Sequence, residues 1–378
     1  MRIVRLLVAT AILAACLVLH ESNSQIVKKA QVGFRFLENP VSAEVVGRGM
    51  VGVATTLSSS GIFWNPGLIS WIPGDADLSI HHTQGIADIN YNAAAATVRL
   101  GNIGVAGLSL IAMDYGTFYG TRRAPNEQGY IETGTFSPTA YAVGIAFSQK
   151  VSDRFSYGVH LKHARQDLGD AWVAPAGSDL TDPNLSISAR RYAQYGLALD
   201  VGGYHDFLFN GIRFGACLRN ISREIRYENE AFPMPFAVCF GATVEPLRFF
   251  TEQPDDVFTL SFESRRHCDF NEKLKLGAEY YYLKTFIARV SYATNYDERG
   301  LMAGVGFRYK VAGSPCVQAT PIKRSAFSEL STTSHLESVT ETIPYPAYVH
   351  HHHAVQRPCA RRAPRALEFR TAAGRHHS

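Results

Sequence analysis

The chain has 378 residues, a formal net charge of +4 and 46% hydrophobic residues. Because this small charge forms no basic stripe, nucleic acid is not indicated as a partner. The six cysteines show no C-x-x-C or Cys/His spacing, so we expect neither a disulfide framework nor a metal, and no cofactor is predicted.

The N-terminus carries the features of an export signal. Arg2 and Arg5 precede an apolar stretch over residues 6–19, and small residues at positions 22–24 have the spacing that a signal peptidase reads. The mature chain is therefore predicted to begin at Gln25.

A lipobox is the alternative at this terminus, with lipidation of Cys16. The apolar stretch continues beyond that cysteine, which favours the signal peptide. No other apolar run approaches the roughly 20 residues of a membrane helix. An exported chain of this kind is destined for the periplasm, the outer membrane or the medium.

Residues 37–73 have neither the period of two of a strand nor a clean helical period. Glycine and small residues let a backbone pack closely in a confined space, and Asn-Pro-Gly is a strong turn signal. We predict a hatch, or plug, inside a barrel; the alternative is a surface loop before the first strand. The predicted hatch motif consists of Gly47, Gly49, Gly52, Asn65, Pro66 and Gly67.

Strand patterns follow this segment. The clearest of the early ones places Tyr141 and Val143 opposite Ala142 and Gly144, so large side chains lie on one face and small ones on the other. Long and short connections alternate, as in a barrel with both termini in the periplasm. Counting gives roughly thirteen strands. They cover residues 78–83, 90–100, 105–113, 130–136, 139–149, 155–165, 191–203, 212–220 and 235–245, with four more between 258 and 309.

The four strands between residues 258 and 309 carry the strongest pattern. Each alternates large apolar residues with Gly, Ser or charged residues, and aromatic residues lie at the strand ends. A soluble β-sandwich shares the alternation, but strands of about ten residues with these ends favour an outer-membrane barrel. The predicted fold class is therefore all-β, a transmembrane antiparallel β-barrel.

Charged residues are predicted on the inner face of this barrel. They either line a polar pathway or pair with one another and with the hatch, and the second is favoured because ionisable groups inside membranes pair when no water channel exists. The predicted lumen-facing residues are Lys162, Asp200, Glu263, Lys275, Glu279, Arg289 and Arg308.

Two histidine pairs do not predict a metal site. His81 and His82 are adjacent, and His160 and His163 are three apart, so the members of each pair point to opposite faces of a strand. No Gly-x-Ser-x-Gly elbow is present either, and we predict that the protein is not an enzyme.

The alternation stops after Val311. The remaining residues are rich in Pro, Ser, Thr, Arg and His and show no strand pattern. Two interpretations are open: a disordered tail, or a frameshifted or chimeric end, which we favour. The predicted organisation is a signal peptide over 1–24, a first strand and hatch over 25–75, a barrel over 76–311, and this tail over 312–378.

An ordered set of motifs resembles the PorV/PorQ family of outer-membrane barrels. It comprises residues 32–37, the glycine run at 47–52, the stretch at 62–68, and later blocks at 219–221 and 271–309. The resemblance covers residues 31–309 continuously. It implies a FadL-like barrel of about fourteen strands with an N-terminal hatch.

The resemblance also implies a function in type IX protein secretion. Members of the family receive exported cargo at the outer membrane and pass it to a surface attachment machinery, so cargo proteins and secretion-system subunits are expected partners beside outer-membrane lipid. The alternative is a FadL-like transporter of hydrophobic small molecules. A purely structural barrel is a third possibility.

Overall fold

In the computed structural model, the described residues are 32–85, 89–123, 126–173, 188–227, 230–251, 256–268, 271–283, 285–294, 300–309, 317–323 and 328–334. The chain forms two units, Met1–Glu337 and Ser338–Ser378, and every described residue belongs to the first. In the described ranges, no helix is both long and apolar enough to span a bilayer.

Strands make up most of the described chain. They are β1 Ala76–Gln84, β2 Asn90–Arg99, β3 Val105–Asp114, β4 Phe118–Arg123, β5 Tyr130–Phe136, β6 Thr139–Lys150, β7 Phe155–Val173, β8 Ser188–Asp206, β9 Arg213–Ser222, β10 Ile225–Arg226, β11 Ala231–Phe232, β12 Ala237–Val244, β13 Val257–His267, β14 Lys273–Tyr282, β15 Phe286–Ala293, β16 Leu301–Tyr309, β17 Val317–Lys323 and β18 Ser328–Ser334.

All strands except β4, β5, β10 and β11 pair into one antiparallel sheet. Its order is β1-β18-β17-β16-β15-β14-β13-β12-β9-β8-β7-β6-β3-β2, and β1 also pairs with β2, so the order is circular. The predicted all-β class with a large antiparallel sheet is confirmed.

The two faces of the sheet differ as the sequence alternation predicts. Along β6, buried residues alternate with exposed ones, and the exposed positions include Val143 and Ile145, the latter 59% exposed. Strand β15 repeats this pattern with Phe286, Val290 and Tyr292 outside. Because successive side chains point to opposite sides of a strand, the sheet has an apolar outer face and a buried inner face.

Connections at the two ends of the sheet differ in length. The short turns include residues 100–104 and 151–154, and we call this the short-turn end. The opposite, long-loop end carries the β4–β5 hairpin, the β7–β8 connection and the segment with β10 and β11. Strands β7 and β8 extend to 19 residues each, beyond the predicted bounds.

One predicted strand of the meander lies elsewhere. Residues 130–136 form β5, which pairs only with β4, while β6 pairs directly with β3. The chain leaves β3 through Gly116, whose φ is 78°. Both faces of β5 carry exposed residues. Its alternating pattern therefore belongs to a hairpin at the long-loop end and not to a strand of the large sheet.

The N-terminal segment, residues 32–75, contains only short helical pieces. They are 3-10 turns at Arg35–Glu38, Ser59–Phe63 and Pro66–Trp71 and the helix α1 at Ala43–Gly47. The predicted first strand within residues 25–75 is not found in this part, and residues 25–31 lie outside the described chain. Positive φ angles at Phe34 and Met50 interrupt any extended run.

Two short strands lie within the predicted tail. The sequence predicts no strand after Val311. In the structure, β17 pairs with β16, and β18 pairs with both β17 and β1. Residues 324–327 and 335–378 lie outside the described chain, as does the predicted signal at 1–24. The domain division stays a prediction.

Candidate functional site: the N-terminal segment and the inner wall

The N-terminal segment packs against the inner face of the sheet. Phe36, Leu37 and Ile62 are buried and belong to one apolar core with inward residues of the strands, including Ala93 and Ile111. The segment therefore supplies the buried core that the sheet alone does not contain.

Glycines on the strands allow this close contact. A methyl group on Gly215 would lie 2.2 Å from the carbonyl oxygen of Val53, and one on Gly158 would lie 2.5 Å from the carbonyl carbon of Pro66. Contacts this short exclude any side chain. The glycines whose added methyl would meet the segment within 3.4 Å are Gly107, Gly158, Gly202, Gly215, Gly241 and Gly277.

Three of the four predicted hatch glycines contact serine residues of the wall. The carbonyl of Gly47 accepts a hydrogen bond from Ser291 at 3.4 Å. Gly49 has a φ of 79°, and a methyl group there would lie 2.6 Å from the Cβ atom of Ser291. The carbonyl of Gly67 accepts hydrogen bonds from the hydroxyls of Ser156 at 2.7 Å and Ser148 at 3.3 Å.

Asn65 joins two parts of the segment to the wall, and Pro66 begins the turn that follows it. The Asn65 amide nitrogen donates to the carbonyls of Val53 and Gly203, each at 2.9 Å, and its oxygen accepts from the Gly67 N–H at 3.0 Å. Its side chain is fully buried. Both ends of the amide are thus satisfied by backbone groups.

We expect Asn65→Ala to loosen the segment. The change leaves two carbonyls and one N–H without this partner in a buried place, at a cost of about 1–3 kcal/mol. A smaller share of the variant should run on gels as the folded, heat-modifiable band, and protease should degrade the variant faster. Asn65→Asp keeps the acceptor but turns a carboxylate oxygen toward two carbonyl oxygens in a buried place, so it should lower the resistance at least as much as Ala. Full resistance in Asn65→Ala would contradict the prediction.

The predicted inward residues Lys162 and Asp200 form one buried cluster. The ammonium of Lys162 donates to Asp200 at 2.7 Å and to the side-chain oxygen of Asn220 at 2.5 Å. The backbone N–H of Asn220 donates to the other carboxylate oxygen of Asp200 at 2.7 Å. His160 lies beside this cluster, with its Nδ1 3.5 Å from Asp200, and shares a 2.8 Å hydrogen bond with Ser109.

Glu263 and Lys275 form a second cluster that grips the segment. One carboxylate oxygen of Glu263 accepts from the backbone N–H groups of Gly52 at 2.8 Å and Val53 at 3.1 Å. Its other oxygen accepts from Lys275 at 3.1 Å and from Arg265 at 2.8 Å. Both Glu263 and Lys275 are fully buried.

Glu279 and Arg289 form a third cluster with a residue of the segment. Arg289 donates to Glu279, and the guanidinium of Arg48 lies 3.8 Å from the same carboxylate. Arg308 lies at the margin of this cluster: it is exposed, its charge acts on Glu279, and its guanidinium lies 4.7 Å from the ring centre of Tyr281. Except for Arg308, these charges pair with one another or with the segment.

Near the long-loop end, Glu38 of the segment pairs with His267 at the end of β13. Burial acts to raise the pKa of Glu38, but His267, Arg35 and Arg265 together outweigh it, so the pKa of this carboxyl lies below its ordinary value. The carbonyl of the neighbouring Leu37 accepts from Arg219 at 3.3 Å.

A second part of the inner face has no charge. Strands β2, β3 and β6 are neighbours in register, with Ala93 opposite Ile111 and Ile111 opposite Ala142. Six buried apolar residues in the half of these strands nearer the long-loop end form what we call the apolar wall: Ala93, Ala95, Ile111, Met113, Ala140 and Ala142. These side chains offer no strong hydrogen-bonding group, so the wall meets the segment mainly through dispersion.

The histidines and cysteines form no ligand cluster in the described ranges. His81 and His160 are buried, whereas His82 and His163 are exposed, as the strand alternation predicts. No group of three metal-ligating residues occurs in the described chain. Cys217 and Cys239 face each other across β9 and β12 as free thiols.

Several residues of these clusters are missed by sequence reasoning. Asn220 is one, because a register shift between β8 and β9 and its own φ of 57° turn it inward against the alternation. Arg48 is another, because it lies in a segment without any period. Arg219 shares the parity of the inward Gly215 and Cys217, so the pattern alone could have found it.

No protein-family model matches this sequence, and no curated protein matches it. Solved structures do match. The Ralstonia pickettii toluene transporter TbuX is 11% identical with a TM-score of 0.53, and the match covers 80% of this chain and 99% of that one. The Pseudomonas putida toluene transporter TodX is 11% identical with a TM-score of 0.50, covering 82% and 97%.

A FadL homologue of Pseudomonas aeruginosa is 12% identical with a TM-score of 0.48, covering 78% of this chain and 96% of that one. At these identities the likeness establishes the fold alone. The chain has a FadL-like fold, the fold of these two toluene transporters.

Proposed function

We propose that this protein is a closed outer-membrane barrel of about fourteen strands that carries small hydrophobic molecules across the outer membrane, with the N-terminal segment as its hatch. The observation that carries the proposal is the fold shared with two toluene transporters over about four-fifths of the chain. The short-turn end would face the periplasm and the long-loop end the outside.

Apolar side chains at the long-loop end support a hydrophobic ligand. Phe34 is fully buried with a φ of 54°, an unusual backbone state for this residue. Around this part of the segment lie apolar residues of the loop between β9 and β12, with Phe232 against Gly33 and with Met234 in the same core. An apolar molecule entering here would meet the rings of Phe34 and Phe232 and the side chain of Met234.

Uptake by whole cells tests the proposal. A Gram-negative strain that makes the barrel should take up labelled toluene several times faster than the same strain without it, while labelled arabinose enters at an unchanged rate. The protein should appear in the outer-membrane fraction as a heat-modifiable band. Faster entry of both solutes would indicate a water-filled pore, and unchanged toluene entry would refute transport.

Binding of secreted cargo is a second candidate, in line with the resemblance to the PorV/PorQ family. The observation that favours it is the β4–β5 hairpin at the long-loop end, which exposes Phe118, Tyr119 and Tyr130; Tyr119 is 80% exposed. Aromatic residues of this kind are enriched in protein interfaces. If the hairpin binds secreted cargo, replacing all three residues by serine should abolish cargo release and leave toluene uptake unchanged.

A further inference from the structure

Two cysteines meet on the inner face of the sheet. Cys217 of β9 and Cys239 of β12 lie directly opposite each other in an antiparallel pair. Their residues are 3% and 0% exposed, so both side chains lie on the face that the N-terminal segment covers. No third metal-ligating residue joins them in the described ranges. The pair therefore lacks the ligands of a metal site, and the reaction open to two opposed thiols is a bond to each other.

The backbone geometry brings this pair within reach of a disulfide. Just beyond the ends of β12 and β13, the N–H of Cys268 donates to the carbonyl of Phe236 at 3.2 Å. Backbone groups alternate between the two neighbouring strands, so Cys239 turns its N–H and carbonyl toward β9 and Cys217. The Cα atoms of such a hydrogen-bonded pair lie about 5.5 Å apart, close to the separation most often found across disulfides.

The Cβ atoms have to come closer for the bond to form. In opposed pairs of this kind they lie up to about 5.5 Å apart, against about 3.5–4.5 Å across a disulfide. The next inward pair toward the short-turn end is Gly215 and Gly241, so no side chain there resists the approach of β9 to β12. A bond formed in this way is strained, and a strained disulfide is more easily reduced when it is accessible.

Val53 of the N-terminal segment removes that access. It forms one buried apolar cluster with Cys217, Cys239 and Ala237. Its N–H donates to Glu263 at 3.1 Å, and its carbonyl packs directly on Gly215. A dissolved reductant therefore cannot reach either sulfur while Val53 is in place.

We propose that Cys217 and Cys239 form a disulfide bond during export and that the docked N-terminal segment then shields this bond from reduction. The inference rests on the passage through the periplasm that the proposed function requires, but not on the transport of toluene. The periplasm is a compartment in which disulfides form and persist. The bond would close a ring that contains Phe232, which packs against Gly33, and Met234, which shares the core with Phe34.

The oxidant in this reaction is the disulfide of a periplasmic dithiol oxidase. The thiolate of one cysteine attacks that disulfide, forms a mixed disulfide and releases one thiol of the oxidase. The thiolate of the other cysteine attacks the barrel sulfur of the mixed disulfide and releases the second thiol. The barrel loses two electrons and two protons, and the oxidase gains them. Because both cysteines are covered in the folded protein, this exchange precedes docking of the segment.

Counting thiols tests the bond. The full chain is exported with Cys268, Cys316 and Cys359 replaced by serine, which leaves Cys217 and Cys239 in the predicted mature chain. Protein from the outer membrane is quenched in acid, unfolded in SDS and treated with a polyethylene-glycol maleimide, with or without prior dithiothreitol. We expect no adduct without dithiothreitol and two adducts after it. Two adducts without dithiothreitol, on protein that shows the folded, heat-modifiable band, would overturn the proposal.

Two controls assign the result to this pair. In a host that lacks the dithiol oxidase, the same protein should give two adducts without dithiothreitol. In the usual host, Cys217→Ser should give one adduct with or without dithiothreitol, because Cys239 has lost its partner. Failure of Cys239 to react in that variant before reduction would show that it is blocked by another group, and would refute the bond.

Reduction of the folded protein tests the shield. Dithiothreitol is applied to intact outer membranes before the acid quench. Gly215→Ala places a methyl group 2.2 Å from the Val53 carbonyl oxygen and should speed reduction about tenfold, because the clash favours local opening of the segment. Gly203→Ala meets no atom closer than 3.6 Å and should leave the rate unchanged. Equal rates in the two variants would refute shielding by the segment.

The bond and the proposed transport fail separately. Free thiols in cells that take up toluene would refute the bond and leave transport standing. An oxidised pair in cells that take up no toluene would support the bond and refute transport.

Discussion

Replacing Gly215 by alanine is expected to release the N-terminal segment from the wall. The new methyl group would lie 2.2 Å from the Val53 carbonyl oxygen and 2.8 Å from its carbon. The obstacle is backbone and cannot rotate away, so the segment must shift, at a cost of about 3 kcal/mol, the upper end for overpacking. Trypsin would then cleave after Arg48, which is buried in the unchanged protein.

Gly203→Ala is the matched control for this change. Its added methyl group would meet no atom closer than 3.6 Å, which is ordinary van der Waals contact. The control should keep the segment protected from trypsin and its heat-modifiable mobility unchanged. Equal trypsin sensitivity in the two variants, or none in either, would contradict the close packing of Val53 on β9.

Glu263→Gln is expected to destabilise the protein most among the charged residues. The neutral amide leaves Lys275 and Arg265 buried without their shared counter-charge, and breaking a buried ion pair in this way costs about 3–5 kcal/mol. Lys275→Met should cost less, because Glu263 keeps Arg265 and the N–H groups of Gly52 and Val53. The urea midpoint of unfolding, measured in detergent from the loss of the folded, heat-modifiable band, ranks the variants.

Glu132→Gln serves as the comparison for that series, because Glu132 is exposed on the β5 hairpin. Its unfolding midpoint should equal that of the unchanged protein. If Lys275→Met proved as damaging as Glu263→Gln, the carboxylate would not be the centre of the cluster.

The sequence predicts the sheet well because its inner and outer faces differ strongly. Many buried strand positions are small or paired, and many outer positions are apolar, so the period of two survives along most strands. The same period misleads at residues 130–136, where β5 pairs with β4 outside the sheet. A hairpin and a sheet strand share one alternation, and only the partner distinguishes them.

The N-terminal segment is harder to derive. Its conformation follows from contacts with strands far along the chain, such as the bond from Gly52 to Glu263, which are 211 residues apart. Sequence composition indicates a closely packed segment, and the glycines and Asn65 do contact the wall. The pairing of wall side chains with backbone groups of the segment depends on the completed sheet, so it cannot be read from a local sequence pattern.

The apolar wall is invisible to the motif search for a related reason. Ala93, Ile111 and Ala142 are ordinary strand residues, each on a different strand. Their common property is the lack of a polar atom facing the segment, which appears only when neighbouring strands are placed in register. The charged inward residues were conspicuous in the sequence, whereas the uncharged surface between them was not.

The long separation of these contacts constrains how the protein assembles. The segment leaves the ribosome before any strand, yet its partners extend from β1, through Asp77, to β15, through Ser291. A sheet that closed first would leave no opening wide enough for residues that fit against bare glycine. Assembly is therefore expected to gather the strands around the segment, and a truncation that removes the segment should leave the interior of the sheet open to water.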